Sequence, residues 1–253
     1  MFDNFNKLKN GVVIYENEHI VSIITGFLKP SNNTKTGQML QQWILVKAFH
    51  PVEATRNHSD ELICGDCKRR HGTVEERKAA PDDEKNCYVV EGMGPAQVWK
   101  TWKAGGYDVI ENVPMYLEYV SDIYTPCRTI RMGSYGDPSM VPDDILQQWR
   151  DAIAKGYTGY THQWHKRPDL AGQFMASVDS IEEKEQAQAM GWHTFRVESD
   201  HSARPMKDET VCLNYRHASI KCCDCLLCDG KQRNVMIYDH GAYLKSVKKR
   251  RAA

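Results

Sequence analysis

No stretch of this 253-residue chain approaches the eighteen or so uninterrupted apolar residues that a membrane-spanning helix needs, and its opening, MFDNFNKLKN, has no apolar signal core. Net charge is missing too: 33 Lys plus Arg balance 33 Asp plus Glu. No global field steers the protein to nucleic acid or to a membrane, so either partner must be met by a local patch. The loop NNTKTGQM sets Lys35 and Thr36 before Gly37, but without the Gly-x4-Gly-Lys arrangement it argues against a phosphate-binding P-loop. The expectation is a soluble cytoplasmic protein, long enough to bury one large core. That core is expected as a single α/β metal-binding domain over 1–244, with a charged excursion at 68–85 and a basic flexible tail at 245–253.

What the chain does have is cysteine, nine in all. Thiols stay reduced in the cytosol, the odd count argues against complete pairing, and the close spacing reads as ligands rather than disulfides. Cys222, Cys225 and Cys228 follow one another at x2 spacing, with Cys212 upstream. Three thiolates so spaced can wrap one centre, as ferredoxin-type loops do for an iron–sulfur cluster, and 4Fe–4S is the favoured form. Zinc is the alternative, although its sites usually use two CxxC knuckles separated by a loop. Cys223 reads as a spare thiol, with a C-x-C-x2-C set that uses it left open. Cys64 and Cys67, in ICGDCKRR, form a true knuckle with Cys87 as third ligand. Its fourth ligand stays open among Cys127, His71, His50 and an exogenous group. An open corner would let a cluster bind substrate or cofactor; a zinc staple pinning the charged excursion is the plainer reading.

Residues 12–28 are β-branched and broken by Glu16-Asn17-Glu18, which predicts a hairpin serving as a lid or a first strand pair. A buried strand is expected over Trp43 to Phe49, a short one at CYVV, and a helix in GPAQVWKTWKAGG with Val98 and Trp102 on one face. From residue 128 strands alternate with helices. TIRMGSYGDP, GYTGYTHQW, FMASVDS, WHTFRVES and NVMIYDHG read as strands; PDDILQQWRDAIAKG and IEEKEQAQAMG read as helices, the first burying Ile145, Trp149, Ala152 and Ile153. That alternation implies a mainly parallel sheet, best fitted by a (β/α) barrel or partial barrel.

In such barrels the chemistry gathers at the carboxyl ends of the strands. Those ends hold Ser134 and Asp137, then Thr161, His162 and Trp164, Ser177 and Asp179, Arg196 and Glu198, and Asp239 and His240. Turns attract Ser and Asp for local reasons, but polar groups at nearly every end make Asp137, His162 and Asp179 candidate catalytic residues. Ser134, Arg196 and His240 are the candidates for holding a cofactor. The tail LKSVKKRRAA is the one local patch suited to nucleic acid or a host protein.

KTGQM, HPVEA, CGDC, CYV, RMGSYGDP, GYTHQW, SVD, WHTFRV and the closing CxxCxLC together resemble a family of uncharacterised cysteine-rich proteins of tailed bacteriophages, over roughly residues 33 to 241. The resemblance implies viral origin and action in the bacterial host cytoplasm, with no activity attached. More loosely, cysteines feeding a (β/α) barrel resemble radical-SAM enzymes, which implies S-adenosylmethionine as a cofactor and an unidentified small-molecule or macromolecular substrate. Here Cys64, Cys67 and Cys87 spread over a long insertion in place of the compact C-x3-C-x2-C loop, and GSYGDP stands where those enzymes carry Gly-Gly-Glu.

Overall fold

The computed structural model describes residues 9–70, 87–110, 112–123, 129–153 and 155–239. The basic tail, His240, His71, Cys127 and most of the charged excursion lie outside the described residues. Strands β1 (Gly11–Glu16), β2 (Ile20–Thr25) and β3 (Leu40–Val46) precede β4 (Asp108–Val109), β5 (Ile130–Tyr135), β6 (Tyr157–Thr161) and β7 (Met175–Val178). β8 (Thr194–Glu198), β9 (Glu209–Val211) and β10 (Asn234–Tyr238) complete one sheet, in the order β4-β1-β2-β3-β5-β6-β7-β8-β10-β9. The first three strands form an antiparallel meander, and every pairing from β3 to β9 is parallel.

The expected barrel does not close. Its would-be seam lies between β4, two residues long, and β9, three residues long, each with a single neighbour. Edges this short are a common way of ending a sheet without inviting another strand. The hairpin forms where the polar step predicts it, with Asn17 Oδ1 accepting from His19 and Ile20 N–H in the turn. It is the first strand pair rather than a lid, because all six residues of β2 are buried within the sheet. The third strand starts earlier than expected, at Leu40, and residues 87–90 of the CYVV run form no strand.

Helices α1 (Pro51–Arg56) and α2 (Glu61–Cys64) follow β3, and α3 (Gly94–Lys103) and α4 (Val113–Ile123) flank β4. Between parallel strands run α5 (Asp143–Ala152) and α6 (Ile181–Ala189); α7 (Leu213–Arg216) and α8 (Cys222–Cys225) are single turns. The stripe on α5 is centred on Leu146 and Trp149, with Ile145 only partly buried. α6 starts at a cap: Ser180 Oγ accepts from Glu183 N–H, and Glu183 reaches back to accept from Asp179 N–H. Among the described residues no helix is long and apolar enough to cross a membrane.

Register decides which side chains share a face. Gln41 pairs with Arg131 and Arg131 with Thr158, while Tyr160 pairs with Met175 and Ser177 with Phe195. Since strand side chains alternate, Arg131, Tyr160 and Phe195 lie on one face of the sheet. Ile130, Met132, Ala176 and Val178 fall on the other, in one apolar cluster with Leu146, Trp149 and Ala187. Two glycines shape the end of β5. Gly133, at φ 71°, carries the irregular register against β3. A Cβ on Gly136 would stand 2.8 Å from Ile44 Cβ and 3.1 Å from Ile63 O, so only glycine lets the chain pass there. The next residue, Asp137, donates its N–H to Ile63 O at 2.6 Å and ties β5 to α2.

Candidate metal centres

α2 ends at Cys64, and Gly65, at φ 54°, turns the chain so that Cys67 N–H donates to Cys64 O at 3.2 Å. Cys64, Cys67 and Cys87 come together although Cys87 lies far along the chain. Burial raises the Cys64 thiol, and Cys67 and Cys87 push it further in the same direction. Burial likewise raises Cys67, with Cys87 the strongest charge acting on it, and carries Cys87 up to about 12. Against burial, the backbone N–H of Arg69 donates to the Cys67 sulfur and that of Val89 to Cys87. A hydrogen bond from the residue two positions on favours the thiolate, the form that binds a cation.

The carboxyl ends of the parallel strands meet this group. His162, just after β6, places Nε2 3.7 Å from Cys67 Sγ. Its backbone N–H donates to Asp137 Oδ2 at 2.7 Å, and Asp137 Oδ1 accepts from the N–H and hydroxyl of Ser139. Asp137 is thus the cap of the short turn Pro138–Met140 and the anchor of the His162 backbone at once. Asp179, after β7, accepts from Arg69 Nε at 2.8 Å, so the residue that supports Cys67 is itself held by the next strand end. Burial lowers the His162 imidazole pKa and keeps it neutral, with Asp137 and Asp179 pulling the other way. Asp137, His162 and Asp179 lie close to one another beside Cys67, and both carboxylates are engaged in hydrogen bonds that hold the group together. Outside the knuckle an open cleft of about 560 Å³ is lined by Glu61, Gly65, Asp66, Ser139 and Gln163 among others.

The second group forms where β9 and the cysteine loop meet β6. Cys212 N–H donates to Met236 O at 2.8 Å, and Cys222 N–H donates to Lys35 O at 3.0 Å. Leu226, at φ 51°, ends α8 and turns the chain toward Cys228, whose carbonyl accepts from Gly159 N–H at 3.0 Å. Burial raises Cys222, Cys225 and Cys228, and Cys212 acts on all three. Leu227 N–H donates to the Cys225 sulfur and the Tyr160 hydroxyl to Cys228, both easing the thiolate form. Cys223 turns away: a Cβ on Gly37 would lie 2.5 Å from its sulfur, and its own hydrogen bond comes from Gln38 N–H.

Between the two groups stands Arg131, which sequence reasoning missed. Its Nη2 donates to the Tyr88 hydroxyl at 2.6 Å, and Tyr88, Tyr160, Cys222 and Cys228 are the groups whose charges act on it. Tyr88 in turn feels Cys87, Cys67 and Cys64, so one tyrosine–arginine pair links both groups. The only advance signal was an arginine between two buried apolar residues of a strand, the IRM of IRMGSY.

Other expected residues have different work. Arg196 gives Nε and Nη2 to Glu209, each at 2.8 Å, and Nη1 to Glu198 at 2.5 Å, which commits all three nitrogens to the fold. It points to the helix-packed face, one register step from Phe195. The Ser134 hydroxyl donates to Gln41 Oε1 at 2.7 Å inside the sheet. His50 stacks edge-on against Trp99, with ring centroids 5.5 Å apart. All eight described cysteines are free, and as placed no three His, Cys, Asp or Glu side chains among the described residues enclose a metal ion. The donors fit a metal in kind and in their supporting N–H groups, and are not drawn in around one. No family model matches the chain, and neither curated proteins nor solved structures contain a match.

Proposed function

We propose that the chain is a metalloprotein with two thiolate centres. Cys212, Cys222, Cys225 and Cys228 hold an iron–sulfur cluster, 4Fe–4S in type, and Cys64, Cys67 and Cys87 hold a second metal. The observation that carries this reading is the gathering of Cys64, Cys67 and Cys87 into one mutually acting group, with His162 Nε2 3.7 Å from Cys67 Sγ, and of Cys212, Cys222, Cys225 and Cys228 into another. Thiols kept merely for packing need no such grouping, whereas one metal centre needs several soft donors at one place. The face between the centres, with Arg131 and Tyr88, suits the substrate of an enzyme of radical-SAM-like type. A requirement for S-adenosylmethionine, and origin in a bacteriophage acting in the host cytoplasm, rest on resemblance alone.

A second reading is a zinc-stapled module, without turnover, that binds a host protein or nucleic acid. It is favoured by Asp137 and Asp179, whose carboxylates are engaged in structural bonds. Anaerobic purification with metal analysis and an absorbance spectrum separates the two: iron, sulfide and a broad visible band support the enzyme, zinc and a featureless spectrum the module. In either case Cys225→Ser should leave the protein metal-poor or insoluble while Cys223→Ser retains its metal, since structural metal binding is folding free energy. Equal effects would refute the centre at Cys212, Cys222, Cys225 and Cys228.

A further inference from the structure

We infer that His162 is the fourth ligand of the Cys64, Cys67 and Cys87 centre, making it a three-sulfur, one-nitrogen site for a single tetrahedral cation of the zinc class. This rests on the reading that the three thiols hold a metal, and narrows which metal the centre takes. With metal–sulfur bonds near 2.3 Å and metal–nitrogen bonds near 2.0 Å, a sulfur and a nitrogen on one tetrahedral ion stand about 3.5 Å apart. Cys67 Sγ and His162 Nε2 stand 3.7 Å apart. In a cubane each thiolate binds its own iron and ligands stand farther apart, so this spacing points to a shared ion.

The histidine is built in from behind. Asp137 fixes its backbone, Ser139 fixes Asp137, and the Asp137 N–H is tied to Ile63 O, one residue before Cys64. The knuckle and the histidine are therefore joined by an independent hydrogen-bonded path, which a chance contact would not need. Arg69 contributes twice, its N–H to the Cys67 sulfur and its guanidinium to Asp179. Closing the site asks the Cys64 and Cys87 sulfurs to be drawn in to the same ion as Cys67 and His162, an arrangement the four side chains do not adopt without the metal. The competing account of the 3.7 Å contact is a plain S–H···N hydrogen bond, under which the histidine would be irrelevant to metal.

The test uses the full-length protein, reduced and loaded anaerobically with cobalt(II), with each variant read as a difference from the native protein. Affinity is read by chelator competition and geometry by the cobalt d–d spectrum. His162→Ala is expected to weaken binding at this centre ten- to a hundredfold and to shift the d–d bands as nitrogen is lost. His162→Cys is expected to restore tight binding with the red-shifted bands of a four-sulfur site, which also answers a folding defect in the alanine variant. If Cys67→Ser loses the cation while His162→Ala and His162→Cys keep native affinity and spectrum, the thiol centre stands and the histidine assignment falls. If Cys67→Ser also keeps both, the centre itself is refuted.

Discussion

Asp60 begins the turn into α2 with 4% exposure, and its Oδ1 has no hydrogen-bond partner. Burial raises its carboxyl from the ordinary 3.8 to about 6, against the opposing pull of Arg70, whose Nη1 lies 4.0 Å away. The folded state thus holds the Asp60 proton more tightly than the unfolded chain. Unfolding releases that proton between about pH 4 and 6, so stability falls as pH rises through this window, and the full cost is present above it. A difference of about two pH units at about 1.4 kcal/mol each makes that cost about 3 kcal/mol. Asn resembles the protonated acid in shape and charge. Asp60→Asn should therefore leave stability unchanged near pH 4 and raise it by up to about 3 kcal/mol at pH 7. Urea unfolding of both proteins at half-unit steps from pH 4 to 8 measures this. Parallel stability curves would show that Asp60 is not a charge buried at a cost, and that Arg70 compensates it fully.

Two further perturbations address the scaffold. Glu209→Gln leaves the Arg196 guanidinium, 3% exposed, without its bidentate partner, and should cost about 3–5 kcal/mol in denaturant unfolding; a loss under about 1 kcal/mol would mean the pair contributes only surface-like stability. Gly230, at φ 80°, would set a Cβ 2.5 Å from Phe174 O, so Gly230→Ala should cost about 1–3 kcal/mol by the same assay. No loss would show that the chain after Cys228 is not held against the start of β7.

Local pattern made much of the architecture legible. The β1–β2 hairpin, the run of parallel strands after residue 128, and the helices at Gly94–Lys103, Asp143–Ala152 and Ile181–Ala189 all stand where alternation, helical periodicity and caps placed them. Elements without such signals were missed. β4 and β9 are only two and three residues long and exist through their neighbours' hydrogen bonds. α4, carrying no acidic first turn and no basic last turn, lacked the usual end charges. Barrel closure depends on whether the two edge strands meet, a property of summed twist and strand number that no local window contains.

The site divides the same way. Spacing alone grouped Cys64 with Cys67, and Cys222, Cys225 and Cys228 with one another, because a CxxC turn brings its own sulfurs together wherever it sits. It also turned Cys223, one residue off that rhythm, away from them. Position at strand ends put Asp137, His162 and Asp179 near one another. Only the tertiary structure decided what they do there. His162 meets Cys67 across 95 residues because Gly136 lets β5 pass close enough for Asp137 to bind α2 and β6 together. Arg131 and Arg196 read alike as arginines in strands. Alternation sends one to the cysteine face and the other into a carboxylate pair among the helices, and that choice rests on sheet register, which is non-local.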